Sequence, residues 1–204
     1  MSDHPSMKMK PEKRSALFAA AAHEFTEHGF ERASLNRIIS TLKMSKSSFY
    51  HYFASKSDLF QQIMVQAFAP LNAVAARFEP QELNANNFWP ELLHMAEIAS
   101  AMAQEAPEII SAGRMFYRNL DDEDGLCAKM MEFPLALTTR LLEHGQKLGV
   151  IRHDLPLPLL ISSVMALGMA LDRWGLENFT TLDGAEISRL NEQGVDLFKR
   201  VLTP

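Results

Sequence analysis

The side chains best suited to chemistry lie between Ser45 and Lys56, a stretch that contains lysines, serine hydroxyls, two tyrosines and a histidine. Ammonium and hydroxyl groups bind phosphate oxygens, and hydroxyls and other polar groups can contact base edges. This combination is typical of a surface that binds DNA. Motifs that would indicate an enzyme are absent: the sequence has no G-x-S-x-G, no H-E-x-x-H and no phosphate-binding loop.

Short helices must hold these side chains in place. Ser34 can cap a first helix, in which Leu35, Ile38, Ile39 and Leu42 recur at helical spacing. The pattern stops after Leu42, and a tight turn must follow.

A second helix follows this turn. Ser45 can cap it, and it is predicted to run from Lys46 to Phe53. Phe49 and Phe53 lie one turn apart and can anchor its inner face, which leaves its polar side chains pointing outward. Ser55 begins a third helix, with an aspartate three residues later in a variant of the capping box. Two short helices joined by a tight turn form a helix-turn-helix.

A longer helix precedes this pair, because apolar residues repeat at helical spacing from Arg14 to His28 and Gly29 supplies a stop. From Arg14 to Phe60 the chain resembles the TetR family of transcriptional regulators. The matching features are the alanine-rich helix Ala19 to Phe25, Gly29-Phe30, the cap Ser34, the block Ser45 to Lys56, and Asp58-Leu59-Phe60. The resemblance implies an N-terminal three-helix DNA-binding domain followed by a larger helical domain.

The resemblance also implies roles for single residues. Tyr50 and Lys56 are expected to contact phosphates, and Ser34 and Lys46 are further candidates for phosphate contacts. Ser47, Ser48 and His51 are expected to contact base edges. Tyr52 is a further candidate for a contact with the DNA backbone.

The turn departs from the family's usual pattern. The family commonly has glycine there, with a small residue before it, whereas this chain has Lys43 and Leu42. Lysine adopts positive φ only at some cost in free energy. We therefore expect either a strained Lys43 or a turn of another conformation.

The charge of the chain is divided unevenly. Residues 1–60 contain nine Lys or Arg and six Asp or Glu, whereas residues 61–204 contain eleven and nineteen. A basic head and an acidic body would orient the molecule on a polyanion, although such segregation also arises by chance. We predict a DNA-binding domain at residues 1–55, ordered from about residue 11, and a regulatory and dimerisation domain at residues 56–204.

The first residues are polar and contain proline, and no uninterrupted apolar run reaches the ~18 residues of a membrane helix. We therefore expect a cytoplasmic protein without a membrane partner. Cys127 is the only cysteine, so an intramolecular disulfide is impossible, and a small buried hydrophobe is the favoured interpretation over a thiol sensor.

The remainder of the chain is predicted to be helical, and the whole fold is predicted to be all-α. The predicted helices are Lys56 to Phe78, Pro90 to Gln104, Pro107 to Leu120, Gly125 to Lys147, Leu155 to Trp174 and Asp183 to Leu202.

The helix Leu155 to Trp174 is apolar around most of its circumference, and Asp183 to Leu202 is amphipathic. A helix that is apolar on nearly all sides, as Leu155 to Trp174 is, must be covered from two directions. Its own domain can cover one side and a symmetric copy the other, so we predict a homodimer with a four-helix interface. Gly168, which has no side chain, would permit another helix to approach this one closely. The alternative is a buried central helix in a monomer. A homodimer would present two recognition helices about 34 to 36 Å apart, or at another spacing set by the body, to a palindromic site.

The body is rich in methionine and aromatic residues, which suit apolar or aromatic ligands but more often form a core. The candidate ligand-binding residues are Phe88, Trp89, Met95, Met102, Phe116, Tyr117, Met130 and Met165. No cofactor and no metal are expected. His94 between two glutamates, and the cluster Asp121 to Asp124, are more simply explained as exposed surface than as metal sites.

Together these features predict a DNA-binding transcriptional regulator, by default a repressor, that binds double-stranded DNA as a homodimer and releases it when a small-molecule effector binds. The alternative is a helical small-molecule-binding or scaffold protein that no longer binds DNA. No catalytic residues are predicted. The sequence does not distinguish an activator from a repressor, and it does not identify the effector or the operator.

Overall fold

A computed structural model describes residues 4–120 and 127–204. These residues contain nine α-helices and no strand. The α-helices are α1 Pro11–Arg32, α2 Leu35–Thr41, α3 Lys46–Tyr52, α4 Lys56–Ala75, α5 Phe88–Glu105, α6 Pro107–Arg118, α7 Glu132–Lys147, α8 Leu157–Asn178 and α9 Gly184–Leu202. Short 3-10 helices occupy Pro5–Lys8, Pro80–Glu82, Ala128–Met131 and Phe179–Thr181. The predicted all-α fold is confirmed.

The ends of most helices lie within a few residues of their predicted positions. The predicted helix Gly125 to Lys147 is divided instead, because Ala128–Met131 is a 3-10 helix and α7 begins at Glu132. The start of that predicted helix and the cluster Asp121 to Asp124 lie outside the described residues.

Two compact units make up the chain. The first consists of Met1–Ala69 and Pro107–Lys129, and the second of Pro70–Ala106 and Met130–Pro204. The division falls inside α4, next to Pro70, whose ring removes a backbone donor from the helix. The first unit thus extends beyond the predicted boundary at residues 55 and 56 and includes α6.

In the first unit, an aromatic cluster joins α1 to α4. The ring of Phe60 makes edge contacts with Phe25 and Phe30, with centroids 5.2 and 5.5 Å apart. The favourable geometry adds to the burial of these large side chains. Helix α6 packs on α1 and buries Ile109, Ile110, Ala112, Met115 and Phe116.

The first described residues are packed, although the sequence predicted order only from about residue 11. Ser6 and Met9 are 0% and 3% exposed, and the segment Pro5–Lys8 packs on α3. His4 bonds to Asp58 at the start of α4, with Nε2 3.0 Å from Oδ1. These long-range contacts cannot be read from a short polar sequence.

The core of the second unit surrounds Phe88. The buried members of this cluster are Leu83, Phe88, Leu142, Ile151, Leu160 and Leu202. Gly145 of α7 makes the close packing possible, because a Cβ there would lie 2.9 Å from the Phe88 ring and even closer to the Ile151 side chain. Helix α5 packs on α9, and α7 packs on α8.

Helix α8 keeps much of its apolar surface exposed. Leu160 alone is buried in α8, every residue of which the structure describes. Among the described residues, one helical stretch, Leu157–Thr181, is long and apolar enough to cross a membrane by length and composition. Serine hydroxyls interrupt this stretch, so it contains no unbroken apolar run of that length.

Candidate nucleic-acid interface

The start of α2 is fixed by α1. The Ser34 hydroxyl accepts a hydrogen bond from the Arg37 N–H at 3.4 Å, as predicted for its cap. The Ser34 N–H in turn donates to Glu24 Oε1 of α1 at 2.7 Å, and the Arg37 Nε donates to the same carboxylate at 2.9 Å. One carboxylate therefore binds both the N-cap amide and the first cation of α2.

Glu24 is only 8% exposed, yet its environment favours the charged form. Hydrogen bonds from Arg37 lower the pKa of the Glu24 carboxyl, burial opposes this effect, and the Ser34 N–H lowers the pKa further. Pairing of this kind is what permits a carboxylate to be buried.

The turn between α2 and α3 has the strained conformation that was one of the two expected outcomes. Lys43 adopts φ = 52°, and its N–H donates to the Ser40 carbonyl at 3.0 Å. Among the described residues other than glycine, it alone has positive φ. The Met44 N–H then bonds to the Ile39 carbonyl at 2.9 Å, which closes the turn.

Helix α3 has a buried face and an exposed face. Phe49 and Phe53 are buried and stack on each other with centroids 5.3 Å apart, as their spacing predicted. The Ser45 hydroxyl caps the helix by accepting the Ser48 N–H at 3.1 Å. The aromatic anchors therefore fix which side of α3 is presented to solvent.

Most of the predicted DNA-contacting residues lie on this exposed side. Tyr50 is 55% exposed although its ring contacts Phe49, and Tyr52 is half-buried beside His51. The remaining exposed members are Lys46, Ser47, Ser48 and His51. The exposed side thus combines a cation, hydroxyls, a phenol and an imidazole, groups able to bind phosphates and base edges.

Lys56 is placed differently from its neighbours. Its side chain is half-buried and its Nζ donates to the carbonyls of Phe30, Glu31 and Ala33 at 2.5, 3.2 and 3.1 Å. The predicted cap of α4 is present: the Ser55 hydroxyl accepts the Asp58 N–H at 3.0 Å. The Asp58 carboxylate reaches back to the Ala54 N–H at 2.8 Å, one residue earlier than in a capping box.

The candidate ligand-binding residues fall in both units. Phe116 and Tyr117 belong to α6 in the first unit, and the other six belong to the second. Phe88 is fully buried in the core cluster and Trp89 packs against that cluster, whereas Met95, Met102, Met130 and Met165 are half-buried. None of the eight lines the open depression of about 190 Å³ between α5 and α9, whose lining mixes polar and apolar residues. Their role stays a prediction.

A serine, a histidine and an aspartate meet near the N-terminus. The Nδ1 atom of His4 lies 2.7 Å from the Ser6 hydroxyl, and its other nitrogen faces Asp58. Ser6 is completely buried and the Ser6 N–H points at the same Nδ1, so no substrate can reach the hydroxyl. These three residues anchor the N-terminal segment. The described residues contain no group of three or more metal-binding side chains.

An exposed polar helix, held by a buried aromatic pair and preceded by a tight turn, defines a helix-turn-helix protein. Residues 17–63 match the family model of bacterial regulatory proteins of the tetR family. Over 71% of each chain, the sequence is 27% identical to YdgC, an uncharacterized HTH-type transcriptional regulator of Bacillus subtilis (strain 168). Residues 17–63 are therefore a DNA-binding domain of the kind found in the TetR family of transcriptional regulators, which are DNA-binding proteins and not enzymes.

Solved structures agree on the fold. A TetR family transcriptional regulator from Chloroflexus aurantiacus J-10-fl is similar with a TM-score of 0.71 and 21% identity, over 97% of this chain and 96% of that chain. FadR of Bacillus subtilis, solved in complex with stearoyl-CoA, has a TM-score of 0.63 and 14% identity, over 90% and 96%. The similarity extends over both units.

Proposed function

We propose that this protein binds a palindromic operator as a homodimer, inserts α3 into the major groove, represses transcription by occluding the site and is released by an apolar effector. The observation that supports DNA binding most is the exposed side of α3. Tyr50 is 55% exposed beside the buried Phe49, so this side presents a phenol group that can donate to a phosphate oxygen. This proposal also assigns the chain to the cytoplasm, where bacterial DNA lies.

Two groups of contacts are proposed, on the exposed side of α3 and at the N-cap of α2. Lys46, Tyr50, Ser34 and Tyr52 would bind the sugar-phosphate backbone and set the orientation of the head. Ser47, Ser48 and His51 would contact base edges and choose the sequence. Replacement of a phosphate-binding residue should weaken binding to all sequences, whereas replacement of a base-contacting residue should change the preferred sequence.

A homodimer through α8 and α9 is the second part of the proposal. Its support is the large apolar side chains that these two helices expose. They are Leu159 at 50%, Trp174 at 48%, Leu197 at 42% and Val201 at 40%. A symmetric copy can cover these side chains, because a two-fold interface pairs each surface with itself.

Sedimentation of the purified chain tests the dimer. We expect a dimer for the wild-type chain and a monomer for Leu197→Arg. Leu135→Arg on α7 is the matched control, because Leu135 is similarly exposed, at 45%. A wild-type monomer, or a chain that sediments only with detergent or lipid, would contradict the proposed interface and would favour a membrane role for Leu157–Thr181.

The effector is proposed to be an apolar or aromatic molecule. Half-buried methionines, Met95 and Met102 on α5, Met165 on α8 and Met130 just before α7, offer adaptable apolar contacts. The structurally similar FadR was solved with stearoyl-CoA, which makes a long acyl chain the first probe to test. Stearoyl-CoA should release bound DNA, whereas coenzyme A alone, which lacks the acyl chain, should not.

The experiment that tests DNA binding is selection from a random duplex pool, followed by gel shifts with the selected duplex. A retarded band should form at low salt and weaken as salt rises, because binding releases counterions from phosphates. Lys46→Met should weaken this band, while Lys147→Met, which removes an exposed cation of α7, should not. A helical carrier or scaffold would give no retarded band even at low salt.

A further inference from the structure

The ammonium group of Lys56 has no donor left for a phosphate. A lysine ammonium has three N–H donors. Three backbone carbonyls of the first unit lie within bonding distance of it, those of Phe30 at 2.5 Å, Ala33 at 3.1 Å and Glu31 at 3.2 Å. A bond to DNA would have to replace one of these three.

The end of α1 explains why a cation is held there. Gly29 has φ = 71° and ψ = 162°, so it interrupts α1 and leaves a single turn from Phe30 to Arg32 after it. The last carbonyls of a helix lack partners and carry partial negative charge. Lys56 satisfies three such carbonyls, and its Nζ lies 4.5 Å from the centroid of the Phe30 ring, where a cation is also favoured.

The connection between α1 and α2 is thereby held from both sides. Lys56 binds the Ala33 carbonyl, and the next N–H along the chain, that of Ser34, donates to Glu24. Ser34 is the N-cap of α2. The position of α2, and of the turn that leads to α3, therefore depends on these two side chains.

We infer that Lys56 is a positioning residue for DNA binding, which fixes the joint between α1 and α2, and that it does not contact phosphate. The inference rests on the proposed DNA-binding function. It replaces the phosphate contact that the resemblance implied for Lys56.

The test compares Lys56→Met with Lys46→Met. Both substitutions remove one positive charge and keep an unbranched side chain, but Lys46 is exposed on α3. The binding constant for the selected duplex, carrying a fluorescent label, is measured at several salt concentrations. The temperature is kept well below the unfolding midpoint of each variant, and circular dichroism confirms that each is folded.

Lys46→Met should reduce the slope of log K against log salt by about 0.9 for each phosphate that the variant no longer neutralises. Lys56→Met should instead give a line parallel to that of the wild-type chain and displaced several-fold toward weaker binding at every salt concentration. A residue that only stabilised the fold would leave binding unchanged under these conditions.

Two results would overturn the inference. A slope reduced by about 0.9 or more in Lys56→Met would mean that Lys56 binds phosphate. A line superimposed on that of the wild-type chain would mean that Lys56 has no role in binding. If Lys56→Met does not fold, Lys56→Gln, which keeps two N–H donors, serves in the same experiment. Failure of the proposed function is distinguishable, because then the wild-type chain itself shows no salt-dependent binding.

Discussion

Replacement of Asn119 by alanine measures how strongly the residue that follows α6 holds the end of α1. Asn119 is 1% exposed; its Oδ1 accepts the Phe30 N–H at 2.5 Å, and its Nδ2 donates to the Met115 carbonyl at 2.6 Å. The break at Gly29 removes the Phe30 N–H from the regular helical pattern, and Asn119 supplies its acceptor. Alanine would leave this buried N–H without a partner, which costs about 1 to 3 kcal/mol, and would also open a cavity. We expect a loss of about 2 to 4 kcal/mol.

Urea unfolding followed by circular dichroism gives this loss. Asn178→Ala is the matched control, because the Asn178 Nδ2 also donates to the carbonyl four residues earlier, that of Trp174 at 2.8 Å, but at an exposed bond. Water can replace the lost bond there, so we expect a change within about 0.5 kcal/mol. Equal losses for the two variants would refute the argument that the Phe30 N–H depends on Asn119.

Other changes to the packing have predictable effects. Lys43→Gly should stabilise the chain by about 0.5 to 1 kcal/mol in urea unfolding, because glycine adopts φ = 52° without strain; a loss of stability would contradict this. Gly145→Ala should destabilise it by about 1 to 3 kcal/mol because the new Cβ would lie 2.9 Å from the Phe88 ring, whereas Gly184→Ala, with nothing within 4 Å of the new Cβ, should be neutral or stabilising. Glu24 has a lowered pKa, so its contribution to stability is present above the unfolded value near 4.5 and is lost as the pH falls through the lower folded value. Stability curves against pH for the wild-type chain and Glu24→Gln should therefore converge in acid, and parallel curves would exclude this role.

The local features of the DNA-binding head could be predicted from the sequence because each depends on neighbouring residues. The hydroxyls of Ser34, Ser45 and Ser55 cap the helices that they precede. Phe49 and Phe53, four residues apart, are both buried. A cap or a buried stripe needs only the spacing of residues along one helix, which the sequence contains.

The interactions that the sequence did not predict join residues far apart in the chain. Asn119 and Phe30 are separated by 89 positions, and Lys56 lies 26 positions from the same phenylalanine. Nothing in the spacing of the residues indicates that a lysine at the start of α4 reaches the end of α1. Charge and motif position alone therefore predicted a phosphate contact for Lys56, whereas its bonds depend on tertiary packing.

Hydrogen–deuterium exchange of the whole chain, with and without the selected duplex, tests the central claim most directly. DNA bound to the exposed side of α3 should slow amide exchange in peptides that cover residues 45–53 and the start of α2. Exchange in α7 should not change. Unchanged exchange in α3 at a DNA concentration that saturates binding, or slowed exchange confined to the second unit, would contradict the account.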